Sequence, residues 1–120
     1  MIKGLRGASI WSEDVKNLLP FYRNVLGLKV GFETAGFVVL GELEAPALAL
    51  GTHSEVHGRN TDPARHMVGL ATDDVRADWQ RLKAAGVQFV EEPTDYGNLR
   101  IATLKDPEGN LIQLLEPLKT

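Results

Sequence analysis

The sequence predicts an α+β protein built as two βαβββ modules. The first observation behind this is an internal repeat. Ser12-Glu13-Asp14-Val15-Lys16 is echoed sixty residues later by Thr72-Asp73-Asp74-Val75-Arg76, and self-similarity at a fixed period marks a repeated supersecondary unit. The second is the order of elements that follows each copy: a helical stretch, a glycine, then a β-rich run, Gly27–Glu33 in one half and Gly86–Glu92 in the other. The chain therefore divides into a module of residues 1–58 and a module of residues 59–120.

In the first module Leu5–Trp11 alternates and reads as a strand. Asp14, or Ser12 before it, caps a helix over Val15–Leu26, in which Leu18, Leu19, Tyr22, Val25 and Leu26 recur at helical spacing, and Gly27 suits the left-handed stop. Pro20 lies inside that helix and should bend it or leave a carbonyl unpaired. Strands follow near Leu28–Thr34, Phe37–Glu42 and Ala47–Thr52, separated by Ala35-Gly36 and by Glu44-Ala45-Pro46. The polar stretch His53–Arg65, with Gly58, Asn60, Asp62 and Pro63, reads as a linker. The second module repeats the plan. His66–Thr72 is a strand, and Asp74 caps a helix through Ala85 that Gly86 ends. Further strands cover Val87–Glu91, Leu99–Lys105 and Asn110–Glu116, the last two joined by the tight turn Asp106-Pro107-Glu108-Gly109.

The composition suits a globular domain. Of 120 residues, 43% are hydrophobic and 24% charged, which argues against disorder and supplies a core without disulfides. There is no cysteine, so no thiolate nucleophile or thiolate metal site is available. A formal net charge of −3 with scattered Lys and Arg gives no footprint for nucleic acid. No apolar run approaches the ~18 residues of a membrane span, and Met1–Arg6 lacks the apolar core of a secretory signal. A cytoplasmic location is the expectation, with neither membrane nor nucleic acid as partner.

Three stretches then carry a family resemblance. They are Asp14-Val15 leading to Phe21-Tyr22-Arg23-Asn24-Val25-Leu26-Gly27-Leu28; Asp74-Val75 leading to Leu82-Lys83-Ala84-Ala85-Gly86-Val87; and Tyr96-Gly97 leading to Asp106-Pro107-Glu108-Gly109-Asn110-Leu111-Ile112. In this order and spacing the chain resembles the vicinal-oxygen-chelate superfamily of glyoxalase I, extradiol dioxygenases and bleomycin-resistance proteins. The resemblance implies a cupped mixed sheet, a ligand or metal on its concave face, and a homodimer. In metal-dependent relatives His, Glu or Gln on four strands hold the ion. By the family's spacing those positions fall on Gly7, about Ala49, Met67 and Gln113. Glycine and alanine offer no donor, a thioether suits only soft metals, and Gln113 alone is too few. No metal and no cofactor is expected. His66 lies one residue from a ligand position and so on the opposite face of its strand; His53 and His57 read as loop residues.

With Gly7 and Met67 facing inward, alternation turns Ser9, Trp11, Gly69 and Ala71 the same way, and Leu111, Gln113 and Leu115 on the last strand. Many of these are small, and room above them implies a mostly apolar pocket. Phe37, Tyr96 and Arg100 are candidates for its rim: the aromatics to stack on a flat ligand, Arg100 to pair with an anionic one. The ligand-binding candidates are thus Gly7, Ser9, Trp11, Phe37, Met67, Ala71, Tyr96, Arg100 and Gln113. No catalytic set emerges. Ser9 and Ser54 have no evident base, and Glu42, Glu44 and Glu116 sit at strand ends, where solvation is the simpler role. The reading favoured by these residues is a metal-independent protein that sequesters a hydrophobic or aromatic small molecule. The alternatives are a glyoxalase-like lyase or isomerase, or an extradiol dioxygenase, with an atypical metal site, and a dimeric module that regulates a partner protein without a small ligand.

Overall fold

The computed structural model describes residues 1–42 and 46–118. Two compact units, Met1–Gly58 and Arg59–Thr120, separate by their internal contacts. The first holds strands β1 (Gly7–Ser12), β2 (Val30–Glu33), β3 (Phe37–Leu40) and β4 (Ala47–Thr52), in the spatial order β1-β4-β3-β2. The second holds β5 (Val68–Ala71), helix α1 (Val75–Ala84), β6 (Phe89–Tyr96), β7 (Leu99–Lys105) and β8 (Leu111–Pro117), in the order β5-β8-β7-β6. In each sheet the first strand pairs in parallel with the last, and the other pairs are antiparallel. Both are mixed four-stranded sheets. The loop expected at Glu44-Ala45-Pro46 falls largely on residues 43–45, outside the described residues.

Alternation fixes which face of each sheet is packed. In the first unit Ile10, Val38, Leu40, Leu48 and Leu50 are buried together with Val15, Leu18, Leu19 and Tyr22 of the helical segment. In the second, Ala102, Leu104, Ile112 and Leu114 are buried with Val75 and Leu82 of α1. The side chains one residue away along each strand therefore emerge on the other face.

The helix expected over Val15–Leu26 is not a continuous α-helix. A 3₁₀ turn over Val15–Asn17 is followed, after Pro20, by a π turn over Phe21–Val25. Pro20 has no N–H to give to the preceding turn, so the ladder is re-made around it. The Phe21 N–H bonds the Leu18 carbonyl at 3.1 Å, and the Leu26 N–H reaches the Phe21 carbonyl at 2.9 Å. Gly27 then takes φ +79° and ends the segment. The second helix is regular. Asp74 Oδ1 accepts the Ala77 N–H at 3.1 Å, and Gly86, at φ +94°, closes a Schellman motif in which the Val87 N–H bonds the Leu82 carbonyl.

The repeat extends to how each helical segment is tied to its sheet. The first N–H, that of Val15, bonds Thr52 Oγ1 at 2.9 Å, and its counterpart in Val75 bonds Glu116 Oε1 at 2.9 Å. A side chain from the last strand thus satisfies an orphan donor at each helix start. Glu116, which the sequence suggested as a solvated strand end, serves as this cap. Strand β6 runs five residues beyond the expected Glu91, through Pro93. That strand lies at the sheet edge, where a missing N–H costs no ladder bond. The predicted turn after β7 forms around Asp106. Its Oδ1 accepts the N–H groups of Glu108 and Asn110 at 2.8 and 2.9 Å, and Gly109 takes φ +83°.

Candidate functional site

On the open face of the first sheet, Trp11, Gly51 and Phe37 lie in one row across β1, β4 and β3. A Cβ on Gly51 would stand 2.3 Å from Trp11 Cζ3 and 3.3 Å from Phe37 Cδ1, so only glycine lets the indole lie across the strand. The Trp11 and Phe37 rings are 6.1 Å apart at a 31° tilt, and the His53 imidazole meets the indole nearly edge-on at 5.7 Å. His53, read from sequence as a solvated loop residue, is half-buried in this cluster, its Nδ1 accepting the Glu55 N–H at 3.1 Å. Ser9 pairs with Ala49 and Gly7 with Ala47 further along the same face. A Cβ at Gly7 would come within 2.6 Å of the Ala47 carbonyl oxygen, so this position admits no larger residue without parting β1 from β4.

On the open face of the second sheet a groove of about 420 Å³ is lined by Met67, Val90, Glu91, Tyr96, Ile101, Thr103, Leu111 and Gln113. Glu91, Thr103 and Gln113 stand in one row across β6, β7 and β8, and Gly69 of β5 continues it. The irregular register of β6 around Glu91 brings both Val90 and Glu91 to the groove, where regular alternation would admit one. The Tyr96 hydroxyl donates to Glu91 Oε2 at 2.6 Å, and that hydrogen bond to the carboxylate raises the phenol's pKa above its ordinary value. Apolar groups dominate the exposed wall: Met67 is 40% exposed, Val90 51% and Tyr96 50%.

Of the nine candidates from sequence, the structure gathers Met67, Tyr96 and Gln113 in this groove, and Trp11 and Phe37 beside Gly51. Ala71 lies in the row of Leu115 and Ile101. Arg100 does not join them. It alternates with Ile101, which lines the groove, and its guanidinium is bound by both carboxylate oxygens of Asp95, at 2.6 and 3.2 Å. That pairing holds Asp95 below and Arg100 above their usual pKa. The room expected above Gly69 is taken by the Leu115 side chain, whose Cδ1 would lie 2.8 Å from a Cβ there. Val90, Glu91, Ile101 and Thr103 were missed. For Ile101 and Thr103, counting alternation across the predicted pairing with Gln113 would have found them. For Val90 and Glu91 the bulge broke that count.

The fold and these faces define a protein of two βαβββ units, each with one sheet face packed under its helical segment and exposed side chains on the other. The model of the Glyoxalase/Bleomycin resistance protein/Dioxygenase superfamily matches residues 5–114, and the chain belongs to that superfamily. A lactoylglutathione lyase of Neisseria meningitidis serogroup A is 28% identical over 114 residues, 86% of this chain and 83% of that one. The uncharacterized protein YurT of Bacillus subtilis is 44% identical over 50 residues, but the match spans 42% of this chain and only 38% of that protein. Among solved structures, a glyoxalase/bleomycin resistance protein/dioxygenase from Nocardioides superposes with a TM-score of 0.77 at 19% identity, over 99% of this chain and 86% of that one. No helix among the described residues is long and apolar enough to cross a membrane.

Proposed function

We propose that this chain is a metal-independent binding protein that sequesters a hydrophobic or aromatic small molecule against its open sheet faces. The observation that carries the reading is the groove of the second unit. Its apolar wall, interrupted by Glu91, Tyr96, Thr103 and Gln113, has the make-up of a ligand site: mostly apolar surface with a few polar groups to orient what enters. Donor chemistry supports the metal-independent half. By the family's spacing the four positions that hold an ion in metal-dependent members fall on Gly7, about Ala49, Met67 and Gln113, and a borderline or hard divalent ion needs three or four protein donors. Among the described residues no group of three or more His, Cys, Asp or Glu is placed to hold a metal. These residues do not fit the metal.

A second reading, a metal-dependent lyase or isomerase, is favoured by the relative named lactoylglutathione lyase. It requires donors other than those four positions. One experiment separates the two: elemental analysis of the purified protein, followed by titration with 2-naphthol and with Zn²⁺, Ni²⁺, Fe²⁺ and Mn²⁺. The binding reading expects no stoichiometric metal, no thermal shift with any of the four ions, and saturable uptake of 2-naphthol. Replacing Gln113 with leucine should weaken that uptake by about 1–2 kcal/mol if the carboxamide bonds the phenol. Near one metal per chain, with turnover of a 2-oxoaldehyde–glutathione adduct, would establish the enzyme instead.

We also infer that two copies associate. Each four-stranded sheet has two edge strands with unpaired backbone groups, and closure by a second copy is one way to cover them. Sedimentation at micromolar concentration is expected to give a dimer, and a monomer there would overturn the inference.

A further inference from the structure

We propose that the groove of the second unit selects aromatic ligands that carry a positive charge, with Glu91 as the residue that sets the preference. The inference rests on the binding reading above and names the ligand class of that same groove.

Among the eight residues lining the groove, Glu91 is the one acidic side chain, and no Lys, Arg or His lines it. The carboxylate is half-buried, bordered by Met67, Val90, Ile101 and Leu111. A negative charge beside apolar surface is less screened than one in open water, and it favours a counter-charge brought by whatever enters. Among the described residues, the two cations of β7 do not supply one. Arg100 alternates to the other face and is engaged by Asp95, and Lys105, two residues past Thr103 on β7, is not part of the lining.

The tyrosine completes the arrangement. Its hydroxyl occupies Glu91 Oε2 and fixes the orientation of the carboxylate, which leaves Oε1 for a ligand. An ammonium bonded to Oε1 would make a charge-assisted hydrogen bond close to the Tyr96 ring, whose face also attracts cations. The attached aromatic system would then lie along Met67, Val90 and Leu111. The same carboxylate repels an anionic ring of equal size, so discrimination comes from repulsion as well as attraction.

The test compares three probes of one shape: 2-naphthylmethylammonium, 2-naphthylmethanol and 2-naphthoate. Each is titrated at pH 7 and low salt against the intact chain and its Glu91→Gln variant. Glutamine keeps an oxygen to accept the Tyr96 hydroxyl and so preserves the local structure. The expected result is a preference of about tenfold for the ammonium over the naphthoate. It should narrow as salt is raised, and it should vanish in Glu91→Gln, with the ammonium losing more affinity than the neutral alcohol. If the variant proves unstable, the salt dependence in the unmodified protein decides. Equal binding of all three probes would overturn the charge selection and leave the binding reading standing. A preference for naphthoate, or a cation preference that survives Glu91→Gln, overturns it as well. Failure of all three to bind at millimolar concentration would overturn the binding reading and this inference together.

Discussion

Replacing Tyr22 with alanine is expected to cost about 3–5 kcal/mol of folding stability, the range for deleting a buried aromatic side chain. Tyr22 is 0% exposed and stands edge-on to Phe21 at 5.4 Å, at the centre of the core that joins the helical segment to the first sheet. The π turn around it leaves the backbone with no regular helical ladder to fall back on, so packing carries the segment. A domain of ordinary stability, about 5–15 kcal/mol, would lose a large share of it. Urea unfolding followed by far-ultraviolet circular dichroism should show the midpoint falling with the slope unchanged. A shift worth less than about 1 kcal/mol would mean that the segment does not pack on the sheet in this way.

A second large effect is expected at Gly7, the position on which the family's spacing implies a metal ligand in metal-dependent members. Installing a histidine there should not create a metal site but should weaken the protein. The new Cβ would lie 2.6 Å from the Ala47 backbone oxygen, and neither backbone can yield without parting the parallel β1–β4 pair. Overpacking of this kind costs about 1–3 kcal/mol. Gly36→Ala makes the control, since a Cβ there meets nothing within 4 Å. Thermal unfolding with and without Zn²⁺ is the measurement. A Gly7→His variant as stable as the original, and stabilised further by zinc, would show that β1 and β4 separate freely and that a donor at this position is tolerated.

Much of the fold was legible because its signals are local and were given twice. Asp14 and Asp74, Gly27 and Gly86, and the alternation around Ile10 and Ile112 each state a rule of backbone conformation or side-chain period that needs no distant partner. The candidate site was legible in part. Met67 and Gln113 could be placed together because strand alternation and the family's spacing agreed on their face, whereas Tyr96, outside the predicted strands, read only as a rim candidate. Arg100 was misjudged as a rim cation, since nothing local announces that Asp95, across a hairpin, will take both ends of its guanidinium. Glu91 escaped notice because a bulge next to Pro93 shifts the period by which a face is counted.

By itself the sequence determined the two-module plan, the helix caps and the packed face of β1, β5 and β8. All of these follow from residue type, spacing and a period of two or 3.6. Only the tertiary structure decided where room exists and which charged groups pair with one another. Leu115 covers Gly69, Trp11 covers Gly51, Glu116 caps Val75, and Asp95 pairs with Arg100, whereas Glu91 stands beside an apolar wall. Those outcomes depend on which side chains meet across strands far apart in the chain, and on the fact that a close-packed interior lets one group fill a space or pair a charge only by denying it to another.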